Sequence, residues 1–147
     1  MKKQAYTIMA LLVLMGSMAV AAKAQNSGRR QMIANIPFQF NVGDTSLPAG
    51  EYAVTQINPA SDYAVLQIRA RDGSRTAILP MNSAIRKSSD GAALVFNRYG
   101  NKYFFAQAWV DGETDGLRAV KSRSEHATQK EMAALNVQVE TVALKSR

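Results

Sequence analysis

The most informative segment of the sequence is "AALVFNRYGNKYFFAQAWV", which runs from Ala92 to Val110. It contains two runs rich in β-branched and aromatic residues around Gly100 and Asn101, a pair typical of a two-residue hairpin turn. A symmetric turn places Phe96 opposite Phe105. The second run is largely apolar on both faces, which is typical of a central strand covered on two sides. The stretch therefore predicts a β-hairpin at the centre of a mainly β fold.

Alternating hydrophobicity predicts further strands on both sides of this hairpin. Residues 32–42 carry apolar side chains at the even positions and mostly polar ones at the odd positions, which is typical of a strand with one buried face. Pro37 lies in this run and removes a backbone donor, so it indicates an edge strand or a bulge. The other predicted strands cover residues 51–57, 63–70, 76–81 and 137–144.

One helix is predicted in the last third of the chain. Ser122 and Glu125 have the spacing of a capping box, in which the serine oxygen accepts from a free amide and the glutamate reaches back. The helix is expected to continue to about Leu135 and to lie on the surface. Its thin apolar stripe consists of Ala127, Met132, Ala134 and Leu135. With about seven strands, this predicts a single antiparallel β-sandwich or a partly open β-barrel.

The run "NVGDTSLPAGEYAV", Asn41 to Val54, is similar to known sorting and calcium-binding motifs but predicts only a turn. A sortase signal would read Leu-Pro-x-Thr-Gly near the C-terminus, and a calcium loop would need more oxygen ligands at alternating spacing. Pro48 fixes φ near −65°, and Gly50 can adopt φ values closed to other residues. The run is therefore expected to turn the chain between two strands.

The first 24 residues have the pattern of a secretory signal peptide. Two lysines precede an uncharged, mostly apolar run over residues 5–20, and Ala22 and Ala24 mark the expected cleavage site. The run is shorter than the roughly 20 apolar residues that a membrane-spanning helix needs. We therefore expect a signal peptide over 1–24 and one β-rich domain over 25–147. The mature chain would be periplasmic or extracellular, with no transmembrane segment.

The charge of the chain is moderately positive. Its formal net charge is +7, and loss of Lys2, Lys3 and Lys23 with the leader reduces that value to +4. This charge permits contact with anionic envelope polymers or lipid headgroups. The arginines are scattered, which does not favour nucleic-acid binding. There is no cysteine, so burial and hydrogen bonds must stabilise the fold.

Three stretches together resemble a family of small exported bacterial proteins: "IPFQFNVGDTSLPAGEY", "LVFNRYGNKYFFAQAW" and "KSRSE". The resemblance spans residues 36–125 and follows a Pro-Phe-x-Phe, Leu-Pro-Ala-Gly-x-Tyr and Phe-x-Arg-Tyr-Gly layout. It implies a β-rich exported domain whose activity, substrate and site are uncharacterised. Many members carry His where this chain has Asn97, so the resemblance implies no catalytic role at Asn97.

Residues suited to catalysis or metal binding are few. His126 is the one histidine, and no Gly-x-Ser-x-Gly nucleophile elbow accompanies it. The segment "DGETDG" places Asp111, Glu113 and Asp115 at positions 1, 3 and 5 of an EF-hand frame, but position 12 is Ser122 instead of Glu. These three acids are the candidate metal ligands, and an acidic connection after a strand is the alternative. We expect no catalytic residues, no cofactor and no bound metal.

Two groups of side chains are candidates for a ligand surface. Arg69, Arg71 and Arg75 flank the hairpin turn expected at "RDGS" and could contact anionic sugars or headgroups, or could simply form a solvated hairpin. The second group consists of the aromatic residues Tyr99, Tyr103 and Trp109. Their rings could stack on sugars, although aromatic residues on a central strand are also typical of a core.

The sequence predicts an exported, non-catalytic β domain that binds an envelope or extracellular component. Its expected partner is an anionic envelope polymer or another envelope protein. The first alternative is a structural or assembly subunit that presents an edge strand to a partner. The second alternative is a hydrolase whose acid and base residues are not recognisable from the sequence.

Overall fold

A computed structural model describes residues 31–58, 63–88, 91–133 and 137–146. The expected signal peptide over 1–24 lies outside these residues. The described strands are β1 (Gln31–Ile36), β2 (Phe40–Val42), β3 (Thr45–Leu47), β4 (Gly50–Gln56), β5 (Ala64–Ala70), β6 (Thr76–Ile85), β7 (Ala93–Tyr99), β8 (Lys102–Trp109), β9 (Asp115–Ala119) and β10 (Gln138–Ser146). A helix, α1 (Arg123–Glu131), connects β9 to the segment before β10.

Eight of these strands form a closed antiparallel barrel in the order β8-β7-β10-β1-β4-β5-β6-β9, and β9 pairs back to β8. The β2–β3 hairpin is attached through β2, which runs parallel to β8. The prediction of a mainly β fold with one helix is confirmed. The sandwich alternative and the count of about seven strands are corrected to a closed barrel of eight. Closure satisfies the backbone groups that an open sheet would leave at its edges.

Three strands, β2, β3 and β9, are additional to the seven that the sequence predicts. The run over residues 32–42 is interrupted around Pro37 and becomes β1 and β2, while β1 is an inner strand between β10 and β4. Pro37 therefore separates two strands and does not mark an edge or a bulge. The acidic connection continues into β9, which pairs with a β6 that extends to Ile85.

The central hairpin is confirmed, with one irregularity. Tyr99 pairs with Lys102 across a two-residue turn in which Gly100 has φ 62°. Phe96 lies opposite Phe105, as predicted. Because Val95 pairs with Gln107 in the same ladder, Ala106 is an additional residue on β8. This bulge changes the alternation.

The bulge decides which side chains of β8 reach the core. Phe105 and Ala108 both belong to the core cluster, whereas Trp109 does not. Without the bulge, strict alternation would place Trp109 on the same face as Tyr103 and Phe105; with it, Trp109 lies on the opposite face.

Apolar side chains fill the barrel interior. Phe40 packs edge-on against Tyr52 (5.1 Å between ring centroids) and Phe96 (5.4 Å). The largest side chains with less than 2% exposure also include Ile36, Leu47, Leu66, Ile68, Leu94 and Val54. An eight-stranded barrel is just wide enough for side chains to fill it. The interior is thus the hydrophobic core of the protein.

The predicted turn in "LPAGEY" is confirmed. Tyr52 donates its hydroxyl to the Pro48 carbonyl at 2.6 Å, which ties the turn to the start of β4. Gly50 has φ +158°, a conformation that L side chains rarely adopt. The sequence did not predict β3, a three-residue strand that precedes Pro48.

The helix docks on the barrel through polar side chains. Ser122 accepts a hydrogen bond from the Glu125 N–H at 3.1 Å, so the predicted N-cap is confirmed. The buried residues of α1 are Glu125 and Thr128, whereas Ala127 is exposed and Met132 is half-buried. The predicted apolar stripe was therefore wrong at Ala127. Its remaining members, Ala134 and Leu135, lie outside the described residues.

Candidate functional site

The basic turn between β5 and β6 is one of the predicted ligand surfaces. The Ala70 N–H donates to the Arg75 carbonyl at 2.8 Å, and the Gly73 N–H donates to the Ala70 carbonyl at 2.9 Å. These bonds close the turn and bring Arg69, Arg71 and Arg75 together at one end of the barrel. All three arginines are exposed.

Carboxylates neighbouring this turn already have partners. Glu51 Oε1 forms an ion pair with Arg71 Nε at 3.0 Å. Asp72 accepts a hydrogen bond from the Ser74 N–H at 2.9 Å, and the hydrogen bonds from Ser74 hold the pKa of Asp72 below its usual value. Arg69 and Arg75 form no ion pair among the described residues, so the three arginines of the turn exceed the charge of Glu51 and Asp72.

The three aromatic candidates do not form a common exposed surface. Tyr99 is 2% exposed and Trp109 is 6% exposed. Tyr103 is half-buried, and its ring stacks on Phe38 with 3.9 Å between centroids. The rings are part of the packing of the fold, the alternative that the sequence left open.

Trp109 belongs to a cluster at the other end of the barrel. The Arg86 guanidinium lies 5.0 Å from the centroid of the indole ring, and Trp109 Nε1 donates to Gln107 Oε1 at 3.0 Å. Arg86 also donates to the carbonyls of Glu113 (3.1 and 3.2 Å) and Val110 (3.3 Å). This cluster connects the end of β6 to the segment between β8 and β9.

The candidate metal ligands do not converge. Asp111 lies in the turn after β8, Asp115 begins β9, and Glu113 contributes its backbone carbonyl to Arg86. In the described ranges, no group of three or more His, Asp or Glu residues is placed to hold a metal ion. The arrangement is that of a strand connection held by Arg86.

His126 is exposed on α1, and the serines around it have other partners. Ser124 donates its hydroxyl to Asp44 Oδ1 at 2.8 Å and its N–H to the same oxygen at 3.2 Å. These hydrogen bonds hold the pKa of Asp44 below its usual value. Ser122 and Ser124 therefore serve the start of the helix and its link to the β2–β3 turn.

A buried carboxylate under α1 was missed from the sequence. Glu125 is 4% exposed, and its Oε1 accepts hydrogen bonds from Asn97 Nδ2 at 2.8 Å and from the Tyr99 hydroxyl at 3.0 Å. Burial and the adjacent carboxylate raise the pKa of Tyr99 to about 12. Lys121 Nζ lies 3.4 Å from the Tyr99 hydroxyl and 3.0 Å from Gln129 Oε1.

The contacts of Glu125 with Asn97 and Tyr99 stabilise the fold and do not form a reactive site. The carboxylate is enclosed between the helix and β7, and its oxygen already accepts from two side chains, so it is not aimed at an open site. The sequence signal was the presence of an amide at Asn97 and a hydroxyl at Tyr99 on a central strand, since buried polar groups require partners. The capping-box prediction instead had the Glu125 side chain contact the cap residue, Ser122.

Comparisons with family models, with curated proteins and with solved structures found no match to this chain. In the part of the chain that the structure describes, no helix has the length and apolar character needed to cross a membrane.

Proposed function

We propose that the protein is an exported, non-catalytic binding domain that contacts an anionic component of the cell envelope or the extracellular space. The supporting observation is the β5–β6 turn, where Arg69 and Arg75 are exposed while Glu51 is paired with Arg71. Positive charge that is not neutralised locally attracts anionic partners and speeds their association.

The packed interior favours binding at the outer surface. Some eight-stranded barrels hold a small ligand inside, but this requires a cavity free of side chains. Here the Phe96 ring packs against both Phe40 and Phe105 in the core cluster, and all three are almost completely buried. A partner would therefore contact the ends or the outer faces of the barrel.

Sheet closure argues against the alternative of an assembly subunit that pairs through an edge strand. In the described sheet, only β3 lies at an open edge, and it has three residues followed closely by Pro48. Short edges and proline both discourage strand addition. The hydrolase alternative has less support, since His126 is exposed and Glu125 is enclosed.

The test is retention of the purified exported protein on an anionic polymer, dextran sulfate, compared with neutral dextran. We expect retention on the anionic matrix that is lost as salt increases, because exposed charges are screened. The double variant Arg69→Gln/Arg75→Gln should elute at lower salt than the parent. Arg123→Gln, which removes an exposed charge from α1, is the matched control and should elute like the parent.

Equal elution of the double variant and the parent would contradict the role of this turn. Size-exclusion chromatography separates the alternatives, because an assembly subunit would form oligomers without any anionic ligand. A parent protein that flows through both matrices would overturn the proposal of anionic binding.

A further inference from the structure

The outer surface of β5 and β6 continues from the basic turn and has an unusual combination of side chains. Cross-strand pairing places Val65 opposite Pro80, Gln67 opposite Ile78, and Arg69 opposite Thr76. Directly opposed residues point to the same side of an antiparallel sheet. We call the outward side formed by these six residues the β5–β6 face.

The centre of the β5–β6 face is apolar and exposed. Ile78 is 57% exposed, and Pro80 beside it on β6 is also exposed. Tyr63, which precedes β5 and shares the alternation of Val65, is 80% exposed. Binding of a partner that removes a large aliphatic side chain such as Ile78 from water lowers the free energy of the complex.

Positive charge borders this apolar centre. Arg69 lies at the turn end of the face, and Arg118 on β9 is exposed opposite Asn82 of β6. The outward carboxylate of the neighbouring strand β4 is Glu51, which is already paired with Arg71. The face therefore combines exposed aliphatic surface with unneutralised guanidinium groups.

We infer that the β5–β6 face binds the surface of a membrane that contains anionic lipids, an inference that rests on the proposed function and specifies its ligand. Guanidinium groups form strong hydrogen bonds with phosphate oxygens. Each basic residue near an anionic lipid surface contributes about 1 kcal/mol to binding. Ile78 and Tyr63 fit the boundary between headgroups and acyl chains, where aliphatic and amphipathic aromatic side chains are favoured.

The side chains of this face fit lipid better than carbohydrate. Protein sites for sugars commonly place aromatic rings against the apolar face of the sugar ring. None of the six residues of the β5–β6 face has an aromatic ring, and Tyr63 beside it offers a single one. The rings of Tyr99 and Trp109 are buried elsewhere, and Tyr103 is stacked on Phe38. An anionic polysaccharide would use Arg69 and Arg118, whereas the exposed aliphatic side chain of Ile78 is matched better by acyl chains.

The experiment is sedimentation of the exported protein with two kinds of vesicle, one of phosphatidylcholine alone and one containing phosphatidylglycerol as well. We expect binding to the anionic vesicles only. Ile78→Asn and Arg69→Gln should each weaken it by about fivefold, the factor that corresponds to roughly 1 kcal/mol. Matched controls elsewhere on the surface are Ile85→Asn, whose parent side chain is 79% exposed, and Arg123→Gln on α1. Both controls should bind like the parent.

The outcomes separate this inference from the proposed function. If the protein is retained on dextran sulfate but does not sediment with anionic vesicles, the membrane inference is wrong and the proposed function stands. Equal binding by Ile78→Asn and the parent also overturns the inference. If the protein binds neither dextran sulfate nor the anionic vesicles, the membrane inference and the proposed function are both wrong.

Discussion

At the scale of single residues, packing against the barrel limits what can be substituted at Gly116. Gly116 lies opposite Trp109 on the adjacent strand. A Cβ at Gly116 would lie 2.2 Å from Trp109 Cε3 and 2.8 Å from the Ala108 carbonyl oxygen. The indole therefore occupies the space that any side chain would need, and the Arg86 contact depends on the position of the indole.

We predict that Gly116→Ala lowers the free energy of unfolding by about 1–3 kcal/mol, as is usual when a packed site is overfilled. Urea denaturation measures this change. Gly91→Ala is the matched control, because the nearest atom that its Cβ would meet lies 3.9 Å away. The control should change stability by less than about 0.5 kcal/mol. Equal effects at the two glycines would contradict the assigned packing of Trp109.

Tyr99 provides a pH-dependent contribution whose sign follows from its burial. Its pKa is about 12 in the folded protein and about 10 in an unfolded chain, because burial and Glu125 disfavour the tyrosinate. The neutral phenol therefore stabilises the fold fully below pH 10, and this contribution is lost as the pH rises towards 12.

We predict that the stability difference between the parent and Tyr99→Phe decreases between pH 9 and pH 11.5. At pH 9 the variant should be less stable by about 1–2 kcal/mol, because the carboxylate loses a buried hydrogen-bond donor. Urea denaturation at the two pH values provides the comparison. A difference that stays constant would mean that Tyr99 does not titrate under the influence of Glu125.

At the scale of elements, the helix α1 is held by polar contacts and by its two ends. Glu125 connects it to β7, Ser124 connects its start to Asp44, and Lys102 Nζ approaches Glu131 Oε2 at 3.9 Å near its end. The last pair is exposed and contributes little. The buried carboxylate therefore provides the main specific contact between helix and barrel.

We predict that Glu125→Ala destabilises the protein by about 1–3 kcal/mol, since it leaves the donors of Asn97 and Tyr99 without their buried acceptor. The neighbouring variant His126→Ala, on the exposed side of the same helix, should stay within about 0.5 kcal/mol of the parent. Amide hydrogen exchange should show faster exchange over residues 123–131 in Glu125→Ala alone. Similar exchange in the two variants would contradict docking through Glu125.

At the scale of the whole molecule, a filled and closed barrel accounts for a fold without disulfides. The chain has no cysteine, and the described acids do not cluster into a metal site. Burial of side chains from all around the barrel, together with a continuous ladder of hydrogen bonds, supplies the stability.

We predict that a metal chelator leaves the thermal unfolding midpoint unchanged, because the described carboxylates do not converge on a common site. Differential scanning calorimetry with and without EDTA, and with added calcium, measures this. A rise of several degrees with calcium that Asp111→Ala abolishes would contradict the prediction. It would then assign a ligand role to the segment between β8 and β9.

Much of the fold was predictable from the sequence, whereas little of the candidate site was. Alternation, turn chemistry and capping act over a few residues, so the central hairpin, the turn at Pro48 and the N-cap at Ser122 could be identified directly. The bulge at Ala106 could not, because an additional residue is defined only by the pairing with β7.

Residue patterns alone predict a mainly β chain with one capped helix, a turn at "LPAGEY", and arginines at the turn between β5 and β6. Three features depend on the folded arrangement: the closure of β9 onto β8, the burial of Glu125 beneath α1, and the exposure of Ile78 near Arg69. The physical reason is the range of the interactions. Local backbone preferences depend on neighbours in the chain, but Glu125 meets Asn97 and Tyr99 across 28 and 26 positions. Contacts of that kind exist only once the strands have been brought together.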